Sequence, residues 1–140
     1  MSEDFVVIND TKIQKDLSFI VVEDNTILND LISEMLKDFG FTGKFYSTTN
    51  LKDTIKILDQ EDIQFIISDW GLPDGEGINL LSAIRKSPKY SKIPFMMVTG
   101  KNDIESMVRA SELKTSEYLV KPFSKEELLE KIESCFNDED

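Results

Sequence analysis

The stretch FIISDWGLPDGEG, residues 65–77, contains the pattern that decides the fold. It begins with Phe65–Ser68, which we predict to form a strand buried on both faces, and this strand runs directly into a carboxylate, Asp69. A loop rich in Gly, Pro and Asp follows. Strands that are apolar on both faces are typical of parallel sheets covered by helices. The stretch therefore indicates an α/β fold, provided that the same unit recurs along the chain.

The unit of a short strand followed by a helix does recur. Apolar strand candidates lie at 18–22, 44–47, 64–68, 93–98 and 117–120, and helical spacing of apolar residues follows at 25–40, 51–58, 78–84, 103–113 and from Ser124 onward. This alternation predicts a parallel sheet with helices on both faces. We predict one domain over 18–136, an N-terminal extension over 1–17 and an acidic tail at 137–140. Within the extension, the apolar run at 5–8 is expected to form an edge strand or a packed arm.

Composition narrows the possible functions. The chain has 140 residues and a formal net charge of −11, so nucleic acid and anionic membrane surfaces are not expected partners. It has no histidine, which excludes a Ser-His-Asp triad, most zinc sites and a phosphohistidine of its own. The single cysteine, Cys135, allows no internal disulfide and fits a reducing compartment. The first residues lack the features of a signal peptide, so we expect a cytoplasmic protein.

Polar side chains follow four of the predicted strands at the point where each strand ends. Glu23 and Asp24 follow the first strand, Asp69 the third, Thr99 the fourth and Lys121 the fifth. The carboxyl ends of parallel strands meet at one edge of a sheet, where ligand sites of open α/β folds lie. We therefore expect these five side chains to form one site.

This set of residue types suits phosphoryl chemistry. Clustered carboxylates repel one another unless a cation is present, and Mg²⁺ prefers such oxygen ligands. Mg²⁺ and the Lys121 ammonium would together attract a dianionic phosphoryl group, whose transfer depends on positioning and charge neutralisation. Asp69 stands alone on its strand end and is the best candidate for an attacking nucleophile, whereas Glu23 and Asp24 are adjacent and can share the metal.

Four motifs together resemble the receiver domains of two-component signalling, close to the stand-alone chemotaxis regulators of the CheY type. They are VVEDN at 21–25, SDWGLPDGEG at 68–77, MVTG at 97–100 and YLVKPF at 118–123. The resemblance covers 18–136. It implies a flavodoxin-like, doubly wound, five-stranded parallel sheet in the order 2-1-3-4-5.

The resemblance also implies a role for each acidic residue. Asp69 becomes the phosphoacceptor, and Glu23 and Asp24 become the acidic pair that binds Mg²⁺, together with Asp69 itself. The backbone carbonyl of Gly71 becomes a further metal ligand. The donor is expected to be a sensor histidine kinase or a phosphohistidine protein, and the chain itself is expected to be a regulator that assists its own phosphorylation and dephosphorylation, not an enzyme.

The remaining motif positions are implied to form the switch. Thr99 and Lys121 contact the phosphoryl group, and Tyr118 matches the aromatic residue whose rotamer changes as Thr99 moves. The peptide bond between Lys121 and Pro122 is often cis in this family. A downstream protein target is expected to bind the face formed by the fourth helix, fifth strand and fifth helix. Gly71 has no side chain where relatives often carry one that affects hydrolysis, and Lys101 adds a cation, so we expect both residues to affect the lifetime of the phosphoryl group.

Several alternatives remain at this stage. Within the family, the protein could be a phosphate sink or relay. A flavodoxin-like FMN protein has the same sheet order, but the two carboxylates of EDNT at 23–26 would repel the FMN phosphate. An EF-hand calcium loop is disfavoured because Gly71 and Pro73 stand where ligands are needed, and no GxxxxGK loop is present for nucleotide hydrolysis.

Some residues near these motifs also have simpler interpretations. Asp24 or Asn25 could cap the first helix, and Trp70 is expected at the surface or rim of the site. Asp74 and Glu76 are interpreted as solvated charge, as are the basic residues at 85, 86, 89 and 92.

Overall fold

The computed structural model describes residues 4–137. Its strands are β1 Phe5–Ile8, β2 Thr11–Gln14, β3 Phe19–Val22, β4 Phe45–Thr48, β5 Phe65–Ser68, β6 Gly71–Leu72, β7 Gly75–Glu76, β8 Phe95–Thr99 and β9 Glu117–Val120. Its helices are α1 Thr26–Phe39, α2 Leu51–Gln60, α3 Gly77–Lys86, α4 Ile104–Glu112 and α5 Lys125–Phe136. Of the predicted acidic tail, 138–140 lie outside the described residues.

The main sheet is parallel and has the order β4-β3-β5-β8-β9. When only these five strands are counted along the chain, their order in the sheet is 2-1-3-4-5. The predicted fold class is therefore confirmed. Every residue of β3, β5 and β8 is buried, because helices cover both faces of the sheet. No helix of the described part of the chain is long and apolar enough to cross a membrane.

Alternate residues of the central strands pack into two separate apolar layers, one on each face of the sheet. Phe19 and Val21 of β3 face one layer, to which α1 and α5 contribute Leu36 and Ile132. Ile20 and Val22 of β3 face the other layer, to which α2, α3 and α4 contribute. The two layers hold the strands rigidly, and their carboxyl ends are therefore fixed positions for the polar residues that follow.

Local signals set the ends of α1 and the start of α5 where the sequence predicted them. The side chain of Asn25, not Asp24, caps α1 by accepting the N–H of Leu28 at 3.1 Å. Gly40 ends the same helix with φ of 130°, a conformation that favours glycine. Ser124 and Glu127 form the predicted capping box of α5.

The N-terminal segment forms an antiparallel hairpin of β1 and β2 that is separate from the main sheet. Asn9 and Asp10 make its two-residue turn, both with positive φ, as a type I′ turn requires. The edge-strand alternative for Phe5–Ile8 is therefore wrong, and the segment is the packed arm. Periodicity did not reveal β2, because only one of its four residues is buried.

The hairpin packs on the layer that contains α1 and α5. Its buried side chains are Val6, Ile8 and Ile13, and the Thr11 hydroxyl donates a hydrogen bond to the Glu133 carboxylate of α5 at 2.7 Å. The chain then passes through Leu17 into the start of β3. The hairpin consequently lies at the amino end of the sheet, away from the predicted site.

Candidate functional site

The carboxyl edge of the main sheet brings the three predicted carboxylates together. Glu23 and Asp24 follow β3, and Asp69 follows β5, its neighbour in the sheet. One carboxylate oxygen from each residue lies within 4.8 Å of the others. Glu23 is only 3% exposed, whereas Asp24 is open to solvent. A cluster of hard oxygen donors of this kind fits Mg²⁺.

Lys121 joins this cluster from the end of β9. Its ammonium Nζ lies 2.7 Å from Glu23 Oε1 and 3.1 Å from Asp69 Oδ2. Burial by itself lowers the pKa of Lys121, but the hydrogen bonds to Glu23 and Asp69 outweigh it and raise the pKa above its usual value. The lysine is therefore a fixed cation in the site. The bond between Lys121 and Pro122 is cis.

The surroundings of Glu23 disfavour the ionised form of its carboxyl group. Burial raises the pKa of its carboxyl group, and the hydrogen bonds from Lys121 and from the backbone N–H of Asn25 offset this only in part. The nearby negative charge of Asp69 acts in the same direction as burial. A cation bound between these carboxylates would relieve both effects.

Asn29 supports the acidic pair, and the sequence reasoning missed it. This side chain is 1% exposed, and its amide nitrogen donates to the carbonyls of Val21, Glu23 and Thr48 at 3.2, 3.1 and 3.0 Å. Its oxygen accepts the Ser47 hydroxyl at 2.6 Å. The available signal was an asparagine on the apolar face of α1, between Leu28 and Ile32, where a buried polar group needs partners.

The loop after Asp69 is a small hairpin of β6 and β7 that returns the chain to α3. Asp69 Oδ1 accepts the N–H of Trp70 at 2.6 Å, and the carbonyl of Trp70 accepts the N–H of Gly77 at 2.6 Å. A Cβ atom at Gly77 would collide with the Asp69 carbonyl, whereas one at Gly71 would meet no atom within 4 Å. Glycine is thus required at 77 by the close approach of two backbone segments.

Two acidic residues of this loop have structural roles, which corrects their interpretation as solvated charge. Asp74 accepts the N–H groups of Leu51 and Lys52 at 2.8 and 3.0 Å, so it caps α2 from another segment. These bonds lower the pKa of its carboxyl group. Glu76 accepts the indole N–H of Trp70 at 3.4 Å.

Trp70 is not a surface or rim residue. It is 4% exposed and packs in the same apolar layer as α3, because the short hairpin folds its side chain inward. The Lys101 ammonium lies 5.5 Å from its ring centroid, in cation–π contact. Trp70, which follows the predicted acceptor Asp69, is consequently a packing residue, and the exposed Lys101 ammonium lies over its ring.

Thr99 and Tyr118, the predicted switch residues, meet the same loop. Thr99 ends β8, is 3% exposed and accepts the N–H of Lys101 at 3.3 Å. The hydroxyl of Tyr118 donates to the carbonyl of Lys101 at 2.9 Å. Burial raises the pKa of Tyr118, with smaller contributions from the charges of Asp103 and Asp69. The segment after β8 therefore connects both residues.

Arg85 also departs from its interpretation as a solvated charge. Its half-buried guanidinium donates to the carbonyls of Ile93 and Lys114 at 2.7 and 2.9 Å. Desolvation by burial lowers the pKa of this group. Arg85 thus ties α3 to the segments that precede β8 and β9.

The sheet order and the carboxyl-edge cluster define the class of protein: a receiver domain of two-component signalling. The chain belongs to the response regulator receiver domain family, whose model matches residues 19–133. Within that family it is CheY-like. The matched region begins after the N-terminal hairpin and includes all of the main sheet.

Known relatives agree with this assignment. The chemotaxis protein CheY of Pseudomonas aeruginosa is 30% identical over 123 residues, covering 86% of this chain and 96% of the relative. CheY-3 of Vibrio cholerae serotype O1 is 27% identical over 124 residues, covering 89% and 95%. The solved structure of CheY4 of Vibrio cholerae superposes with a TM-score of 0.78 at 23% identity, covering 85% of this chain and 98% of that one, which supports the fold.

Proposed function

We propose that this protein is a phosphoryl-accepting switch that receives its phosphoryl group on Asp69 from a histidine kinase or another phosphohistidine protein. The observation that carries the proposal is the position of the Asp69 carboxylate, which lies within 4.8 Å of oxygens of Glu23 and Asp24 and 3.1 Å from the Lys121 ammonium. In the transfer, the P–N bond to the donor imidazole breaks as an O–P bond forms to an Asp69 oxygen. The chain assists this transfer and the later hydrolysis but has no other enzymatic activity. Histidine kinases use ATP, so we place the switch in the cytoplasm.

The residues present fit a magnesium ion. Glu23, Asp24 and Asp69 would hold it, together with the backbone carbonyl of Gly71. When bound, Mg²⁺ supplies charge neutralisation for the phosphoryl oxygens. It would also offset the repulsion among the three carboxylates, which Lys121 offsets only in part.

The protein's own groups position the reaction. The N–H of Trp70 donates to Asp69 Oδ1 at 2.6 Å, and the Lys121 ammonium donates to Asp69 Oδ2 at 3.1 Å. The carboxylate is thus held from both sides, and it needs little reorganisation before attack. Lys121 can remain in contact with the phosphoryl oxygens after transfer, and the Thr99 hydroxyl can donate to them in exchange for its present contact with Lys101.

The output surface is the face of α4, β9 and α5. Helix α4 exposes three apolar side chains, with exposed fractions of 78% for Ile104, 40% for Met107 and 48% for Val108. A change at Thr99 reaches this face through the loop that Tyr118 contacts. We propose that phosphorylation alters the binding of a downstream protein there, as a two-state element biased by a local charge.

Intact-mass measurement after incubation with acetyl phosphate tests the proposal. We expect one added phosphoryl group with Mg²⁺, and none with excess chelator. Asp69→Asn should remain unmodified, whereas Asp38→Asn, an exposed carboxylate on α1, should be modified normally. An unmodified wild type, or modification that persists in Asp69→Asn, would overturn the assignment. Transfer from phosphorylated Asp69 to the free histidine of a phosphotransfer protein would identify a relay instead of a switch.

Gly71 and Lys101 are predicted to control how long the phosphoryl group survives. Gly71 has open space around it, so Gly71→Asn adds a polar side chain at the site without a clash. Lys101→Ala removes a cation beside Trp70. We expect each variant to change the dephosphorylation rate several-fold, measured by the decay of the phosphorylated mass. Gly100→Ala, which is equally free of contacts, is the control; unchanged rates in both variants would refute the prediction.

A further inference from the structure

The N-terminal hairpin has a free hydrogen-bonding edge along β1. The N–H of Lys15 donates to the Asp4 carbonyl at 3.0 Å, and antiparallel pairs alternate along the ladder. Val6 and Ile8 therefore bond to β2, while the N–H and C=O groups of Phe5 and Val7 point away from it. Within residues 4–137, these four groups have no hydrogen-bond partner.

The side chains along this edge favour strand pairing. Phe5 is 39% exposed and Val7 52% exposed, on the face of β1 opposite its buried residues. β1 itself contains only apolar, strand-forming residues, and it has none of the lysines or prolines that usually protect an edge. Beside it lies a cavity of about 430 Å³ lined by Phe5, Val6, Val7, Lys15, Phe39 and Gly40.

We propose that β1 pairs with β1 of a second copy of this chain, antiparallel and about a two-fold axis at Val6. In this register Phe5 lies opposite Val7 of the partner subunit, and Val7 opposite Phe5 of the partner subunit. All four outward-facing backbone groups then form hydrogen bonds, and the exposed apolar side chains cover one another. The two hairpins become one four-stranded sheet.

Charge favours an axis at Val6 over an axis at Val7. An axis at Val6 places Asp4 opposite Ile8 of the partner subunit, whereas an axis at Val7 would place Asp4 opposite Asp10 of the partner subunit. Moving the register by a single residue would set outward-facing groups against inward-facing ones. The same patch serves both copies, so the assembly closes as a dimer.

The position of the hairpin leaves the phosphoryl site accessible. The hairpin leads through Leu17 into the start of β3, and the acidic pair follows the end of that strand. The pairing can therefore occur with or without phosphorylation of Asp69, and it does not depend on the proposed function. The contact is small, which is typical of weak association.

Sedimentation equilibrium from roughly 10 to 1,000 µM, the range expected for weak pairing, tests this proposal. We expect the average mass of the full chain to rise toward that of a dimer, and Val7→Lys to remain monomeric throughout. Ile55→Lys is the matched control, because Ile55 is an apolar residue of equal exposure, 51%, on α2. A wild type that is monomeric over this range, association that persists in Val7→Lys, or growth beyond a dimer would each overturn the proposal.

Cysteine pairing tests the register. In a Cys135→Ser background, a mixture of Phe5→Cys and Val7→Cys chains should form disulfide-linked dimers several-fold faster than either variant alone, because residue 5 of one copy lies opposite residue 7 of the other. Equal rates in the mixture and in the separate variants would contradict the two-fold axis at Val6. The native thiol is a poor competitor even without replacement, since burial raises the pKa of Cys135 to about 12.

Discussion

At the scale of single residues, Asn29 is the main structural support of the site. One side chain supplies hydrogen bonds to backbone carbonyls at the ends of both β3 and β4. Glu23 owes its position to this amide as well as to Lys121. Asn29 thus supports the acidic cluster although it is 1% exposed and has no hydrogen bond to Asp69, the proposed phosphoryl acceptor.

Asn29→Ala should destabilise the protein strongly. The three carbonyls lose the Asn29 amide as a donor, although the Thr48 carbonyl keeps the N–H of Glu23. In a buried environment an unpaired polar group costs about 1–3 kcal/mol. We expect the free energy of unfolding to fall by about 3 kcal/mol, as measured by urea denaturation. Asn79→Ala, which removes an exposed asparagine from α3, should change it little; a similar loss in both variants would contradict the role of Asn29.

Asp74 gives a pH-dependent contribution of known sign. Its pKa is lowered in the folded protein by the N–H groups of Leu51 and Lys52, so its capping bonds stabilise the fold above the ordinary carboxyl pKa. That stability is lost as the pH falls through the lowered pKa. Asp74→Ala should therefore lower the thermal midpoint at pH 7 and by less at pH 3. Asp59→Ala, an exposed carboxylate of α2, is the control; an equal effect of Asp74→Ala at both pH values would refute the prediction.

At the scale of elements, the short loop between β5 and α3 is constrained more tightly than its sequence suggests. Its β6–β7 hairpin folds Trp70 inward and brings Gly77 against the Asp69 carbonyl. Asp69 is therefore fixed on one side by its strand and on the other by Gly77, the first residue of α3.

Gly77→Ala should disturb Asp69, the proposed acceptor, directly. The new Cβ atom collides with the backbone of Asp69, so one of the two segments must shift. We expect slower phosphorylation by acetyl phosphate, by tenfold or more, since small displacements of a reacting group can cost about 100-fold in rate. The same experiment with Gly100→Ala should show the wild-type rate, and a normal rate in Gly77→Ala would show that the contact is not restrictive.

The elements show how far the sequence could predict the structure. The strands of the main sheet and their polar ends were predictable, because buried apolar runs and helix caps leave strong local patterns. The strands β6 and β7 were not, because two-residue strands that contain glycine have no periodicity. The burial of Trp70 and the capping role of Asp74 depend on contacts between distant segments, which spacing along one chain does not reveal. The sequence shows Asn29 as a polar residue on the apolar face of a helix, but it does not show which groups the side chain binds.

At the scale of the whole molecule, the N-terminal hairpin is part of the hydrophobic core although it precedes the residues that match the family. Ile13 is 2% exposed and contacts the layer that includes Leu36 and Ile132. The hairpin therefore adds apolar burial to one side of the sheet only.

Ile13→Ala should reveal this contribution. Truncation of a buried isoleucine leaves a cavity and typically costs about 2–5 kcal/mol, so we expect a loss of about 3 kcal/mol in the free energy of unfolding. Val7→Ala on the exposed face of the hairpin should cost less than about 0.5 kcal/mol. If chemical denaturation showed no difference between the two variants, the hairpin would be an appendage and not part of the core.

The amide of Asn29 has a consequence for how a signal can travel through the molecule. It hydrogen-bonds to the ends of both β3 and β4, so we expect this half of the carboxyl edge to keep its arrangement. Thr99 and Tyr118, in the half formed by β8 and β9, both hydrogen-bond to the backbone of Lys101. Native-state hydrogen exchange should therefore leave the Glu23 amide, which donates to Thr48 at 3.0 Å, protected in both forms of the switch. The Lys101 amide should change its exchange rate on phosphorylation, so the molecule divides into a stationary half and a responsive half.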